Sequence, residues 1–199
     1  MAADCSSGQC IRKAIVSGYS SNFASLQAAV LSASERPDWS RAVHEWEVTG
    51  LEEDPTAQGI CICGQLNLVK LFTIRNKRTG VELFPIGSSC INLFDRPELN
   101  YSVSVLADFA KIRQSLRDGK EVDLDKDHFS RSLLEHLYDQ GAFTPDVYNN
   151  YDGENDLDFL LTMFNKRIKE NITSRQRSKI YMMLTRKVFP FILDDQRIR

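Results

Sequence analysis

The sequence predicts an α+β protein, mainly helical, organised around a small cysteine-bearing β-hairpin of zinc-knuckle type. Three observations lead there. Two short runs rich in branched and aromatic residues, LNLVKLFTI and VELFPI, flank the polar turn RNKRTG, which is the pattern of a hairpin. Cys61 and Cys63 precede that hairpin and Cys90 follows it. Beyond it, apolar residues recur at helical spacing in one stretch after another.

Residues 1–18 are small and polar and read as a poorly ordered tail. Residues 21–33 carry Phe23, Leu26, Ala29, Val30 and Ala33 at helical spacing, and Pro37 stops that helix. WSRAVHEWEVTG reads as a short helix turning into a strand at Trp46, and LEEDPTAQG as a loop. Pro85 belongs at a sheet edge or strand end because it cannot donate to a ladder. Ser88 or Ser89 caps the helical turn that begins after Gly87. Residues 103–116, 128–140 and 156–169 each present an apolar stripe, with Gly141 as a fitting C-terminal cap. Thr173 and Gln176 match a capping box, and the last helix runs to about Val188, before Pro190. The chain thus divides into the tail, a module over 19–100 and a helical region over 101–199.

With 199 residues, 42% hydrophobic and 26% charged, the composition is that of an ordinary soluble protein with a core of its own. A net charge of -2 gives no overall bias toward nucleic acid or anionic membrane. The sequence shows neither an apolar run of membrane-spanning length nor a secretory h-region. A reducing, cytoplasmic setting is therefore expected, and five cysteines are an odd number for a disulfide framework.

In such a setting clustered cysteines point to metal. Zinc takes four ligands in a tetrahedron and prefers thiolate and imidazole. The glycine after Cys61-Ile-Cys63 permits a tight turn whose amides can face the sulfurs, and the hairpin returns the chain so that Cys90 approaches them. Cys61, Cys63, Cys90 and His44 are the expected ligands, with Cys10, Cys5, Asp95 or a water as other choices for the fourth place. Two alternatives stand beside zinc. The cysteines are buried small residues, or Cys90, at a helix start and near His44, is a reactive thiol.

CICG…LFTIRNKRTGVELFPIGSSCINLF, preceded by EWEVTG, resembles small zinc-ribbon-like proteins of bacteriophages and mobile elements, as does the later FLLTMFNKRIKENITSRQRSKI. The resemblance covers residues 44–94 and 157–180. It departs where the pattern carries a histidine after CxCG, since Gln65 stands there. It implies a role in phage or plasmid biology and no particular activity.

Charge is unevenly placed. Lys166, Arg167, Lys169, Arg175, Arg177 and Lys179 cluster late in the chain, and Arg75, Lys77 and Arg78 sit at the hairpin tip. Such patches neutralise phosphates, although a charge run is more often a solvated face. Residues 118–158 are acidic instead, and their alternating carboxylates lack the full series of a calcium loop. No nucleophile elbow, P-loop, HExxH or dinucleotide fingerprint is present. The expected function is a non-enzymatic accessory protein with a structural zinc that binds nucleic acid or a nucleic-acid-handling protein. The second is an inhibitor of a host enzyme acting through the acidic surface, and the third an enzyme using an open zinc site or a Cys90 nucleophile.

Overall fold

Residues 21–199 are described by the structure, a computed structural model, and all that follows concerns them. The first helix, α1 (Ser21–Ser32), buries Leu26 and Val30, four apart on one face. A short helix α2 (Trp39–Ala42) begins at Asp38, whose carboxylate accepts the Arg41 amide. A 3-10 turn, Val43–Glu45, leads directly into β1 (Trp46–Glu53).

β1, β2 (Lys70–Asn76) and β3 (Glu82–Ile86) form an antiparallel sheet in the order β1-β2-β3. The hairpin expected from the sequence is β2–β3. β1 is longer than the sequence suggests: Leu51–Glu53 reads as a loop there and is extended here. Its outer edge is paired: the Leu51 amide donates to the Arg197 carbonyl (2.8 Å) and the Arg199 amide to the Leu51 carbonyl (3.1 Å). The C-terminus thus closes one side of the sheet. On the other side lies β3, with Pro85 at the edge as anticipated.

The helical half holds α3 (Ser88–Asn92), α4 (Pro97–Arg117), α5 (Arg131–Asp139), α6 (Glu154–Phe164), α7 (Ser174–Met183) and α8 (Phe189–Asp194). Leu99, Val103, Leu106, Phe109, Ala110 and Ile112 of α4 are buried, and α4 packs against β1. Buried side chains from Leu26 to Ile198 make one continuous core. Three boundaries differ from those read in the sequence. α5 begins at Arg131, because the Ser130 hydroxyl accepts the Leu133 amide and sets the start there. α6 stops at Phe164, where the Lys169 ammonium reaches back to the carbonyls of Met163 (3.1 Å) and Phe164 (2.9 Å). The last helix does not end before Pro190: a π-turn, Leu184–Val188, absorbs the missing proline donor, and α8 carries on through it. The Thr173–Gln176 capping box is present as expected.

One buried carboxylate ties the first elements together. Glu45 accepts the amides of Glu35 (2.9 Å) and Arg36 (3.0 Å) and the Asn76 side-chain amide (2.8 Å). Asn76 also donates to the Ala33 carbonyl (3.1 Å), so the end of α1 and the hairpin turn share one polar cluster. Burial opposes ionisation of Glu45, but the Asn76 bond, the two amides and the nearby Arg78 outweigh it and hold the carboxyl below its ordinary 4.5. A folded-state value below the unfolded one means stability that is present above about pH 4.5 and is lost as pH falls through the lowered value. Melting temperatures of the native protein and Glu45→Gln should therefore differ by a constant amount near neutrality and converge in acid. A gap independent of pH would show that the charge contributes nothing.

Candidate metal centre

The loop before β2 is shaped around its cysteines. Gly64 takes φ +92, a conformation that suits glycine, and its amide donates to the Cys61 carbonyl (2.7 Å). The Cys61 amide donates to the Gln65 carbonyl (2.8 Å), which closes the knuckle. The Ile62 amide then donates to the Pro85 carbonyl (2.9 Å), laying the knuckle along β3. After β3, Gly87 caps α3 in place of either serine. It has no side chain to lend, but its amide is directed at the Cys61 sulfur (3.4 Å), and a Cβ there would press on Leu68 at 3.2 Å.

These turns bring Cys61, Cys63 and Cys90 together. All three are buried, and their sulfurs lie within 4.8 Å of one another. The Cys61 and Cys90 sulfurs are 3.6 Å apart, and the Gln65 amide meets the Cys63 sulfur at 3.4 Å. A hydrogen bond from Cys90, with the amides behind it, draws the Cys61 thiol down to about 5. The same bond and burial push Cys90 up. Of the alternatives to zinc, a reactive Cys90 is the one this arrangement disfavours, since Cys90 lends its proton to Cys61 and is pushed up by that bond and by burial. Three converging sulfurs with amides aimed at two of them suit a thiophilic metal ion.

No fourth histidine, cysteine or acid joins this group among the described residues. His44 is exposed on the 3-10 turn and is not among the groups whose ligand atoms approach the sulfurs. Asp95 is exposed, with φ 52, in the turn between α3 and α4. Cys5, Cys10 and the 1–18 tail lie outside the described residues. Just past α3, Phe94 packs edge-on against Trp39 (5.2 Å), and Trp39 against Phe23 (5.4 Å).

The basic residues are all placed, and many are occupied. Arg75 faces Glu47 on β1 and Glu82 on β3 across the sheet. Arg78 pairs with Glu35 at 3.2 Å. Lys166 donates to the Asn171 carbonyl (3.1 Å), Arg177 to the Lys169 carbonyl (2.8 Å), and Lys169 caps α6. Lys179 sits over the Phe159 ring at 4.4 Å. Lys77, Arg167 and Arg175 are exposed with no carboxylate partner among the described residues. On the acidic side, Asp125, Asp146 and Asp152 accept amides of their own turns, the ordinary work of aspartate in loops.

Sequence reasoning missed a buried polar cluster. The Lys187 ammonium meets Asp156 (2.6 Å) and Asp146 (2.8 Å), and the Asn149 side-chain amide donates to the same Asp156 carboxylate (2.9 Å). Lys187 and Asp156 are 31 residues apart, so no local pattern signals their pairing. Two open cavities, about 740 and 660 Å³, lie beside α8 and between α7 and the 120–125 loop, and no cysteine lines either.

Fold and site together define a mainly helical α+β protein whose three-stranded sheet carries a buried three-thiol centre able to hold a metal ion. Comparison with protein-family models, curated proteins and solved structures found no match. No helix among the described residues is long and apolar enough to cross a membrane.

Proposed function

We propose that this is a non-enzymatic binding protein in which Cys61, Cys63 and Cys90 hold a structural zinc ion that locks the knuckle onto β3 and α3, and that its ligand is another protein. The observation that carries the first part is the burial of all three sulfurs, away from the two larger cavities. A catalytic zinc needs a position that substrate can reach, and sulfurs this buried, lining neither cavity, offer a substrate no approach through them. The preference for a protein partner rests on the occupied cations: Lys166, Lys169 and Arg177 serve the protein's own carbonyls and Arg78 a carboxylate. The partner class follows the second reading of the sequence, a host enzyme met through the acidic surface.

Direct nucleic-acid binding is the competing reading, favoured by the unpartnered Lys77, Arg167 and Arg175. An anisotropy titration with duplex and single-stranded oligonucleotides at ~50 mM salt separates the two, since phosphate contacts are strong there and weaken steeply with salt. Little or no complex is expected. A salt-sensitive complex abolished by Arg167→Glu with Arg175→Glu would put nucleic acid first. Those two positions are preferred to Arg177, whose replacement would also remove the bond to Lys169.

A further inference from the structure

Between α5 and α6 the chain makes a loop that is costly to build and exposes what it builds. Val147, Tyr148 and Tyr151 are 62%, 80% and 69% exposed. Large apolar side chains in contiguous exposure mark interaction sites more often than chance. The backbone beneath them is held rigidly. Asn149 is 1% exposed, accepts the Asp146 amide (2.8 Å) and donates to the Thr144 carbonyl (3.0 Å) and to Asp156. The Tyr151 amide donates to the Asp146 carbonyl (2.8 Å), and Asn155 donates to the Asn149 carbonyl (2.9 Å). Asn150 and Tyr151 take φ 56 and 59. That region costs a non-glycine residue free energy, and a tyrosine there brings no burial to offset it.

The electrostatic surroundings choose the ligand. Asp152, Glu154 and Asp158 are exposed beside the tyrosines, and the 146–158 segment contains no lysine or arginine. Among the described residues the cation paired with this segment, Lys187, is already shared by Asp146 and Asp156. Phosphates would be repelled. A guanidinium suits both features, since it stacks on a tyrosine face and takes a carboxylate in a two-point bond, which an ammonium cannot do. Rigid tyrosines also lose little entropy on binding.

We infer that the 146–158 loop is a preformed recognition surface for an arginine-rich protein segment, with Tyr148 and Tyr151 stacking on guanidinium groups and Asp152, Glu154 and Asp158 pairing with them. The inference rests on the reading that the partner is a protein and says which face meets it. The test uses the full chain and two probes, a nine-arginine and a nine-lysine peptide of equal charge. The arginine peptide should bind at least tenfold tighter. Tyr148→Ala with Tyr151→Ala should weaken it at least tenfold at an unchanged melting temperature, and the paired Phe substitutions should restore most of the affinity. Equal binding of the two peptides, or a double alanine variant that binds like the native protein, overturns the inference. Neither result touches the protein-partner reading, which fails only if the oligonucleotide titration succeeds.

Discussion

Cys90→Ser should leave the purified protein almost free of metal, whereas the native protein should carry close to one zinc per chain by elemental analysis. A ligand present at a thousandfold its dissociation constant stabilises the folded state by about 4 kcal/mol. For a chain of this size that is a fall in melting temperature of about 10 °C. Amide exchange should locate the loss in the knuckle and β3, because Ile62 and Pro85 are joined only while the loop keeps its shape. Cys61→Ser should do the same, and α5 to α8 should be affected least. His44→Ala should retain the metal, since His44 is not among the groups that approach the sulfurs. Loss of zinc from Cys10→Ser or Cys5→Ser would assign the fourth position to one of those residues. Full stability after chelation would remove the structural role altogether.

The second large effect is expected far from the sulfurs. Asp156→Ala strips Lys187 of its shortest contact and Asn149 of its acceptor, in a place where Asp156 is 2% exposed. Removing one partner of a buried ion pair costs about 3–5 kcal/mol, and because Lys187 keeps Asp146 at 2.8 Å the lower end of that range is expected. A melting-temperature loss of roughly 10 °C should follow. The variant should also loosen the 146–158 loop, and amide exchange at Tyr148 and Tyr151 would report it. Combining Asp156→Leu with Lys187→Met should recover part of the stability by removing both charges, yet leave the loop loose. If the single variant melts like the native protein, the cluster is not a support of the fold.

The contrast between these two sites explains what could be read in the sequence. The cysteine centre was legible because its parts are short-range signals: a glycine after CxC, a turn between two β runs, and a third cysteine just beyond them. The helices were legible as stripes, and the Thr173 cap as a motif. Arg75 and Arg78 are legible as charges, but the acids they face, Glu47 and Glu82 for Arg75 and Glu35 for Arg78, are not, since strand register and tertiary packing choose them. The same holds for Lys166, Lys169 and Arg177, whose basic run looks like a phosphate track in one dimension and closes helix ends in three. His44 looked close to the sulfurs because it precedes β1, and the direction of a 3-10 turn decided otherwise. Leu51–Glu53 is strand because Phe72, Leu71 and Lys70 of β2 pair with it, and the last residues of the chain return along its outer edge at Leu51.

The ring stack just past α3 gives the molecule an optical gauge of its own. The chain has two tryptophans. Trp46 is sealed in the core at 1% exposed, so its emission reports global unfolding. Trp39 is partly exposed and touches Phe94, the residue that follows the Cys90 turn. A shift in the position of α3 must therefore change the polarity around one indole and not the other. With Trp46→Phe in place, the remaining fluorescence becomes a continuous readout of whether the thiol centre is assembled, in the native fold and without any attached dye.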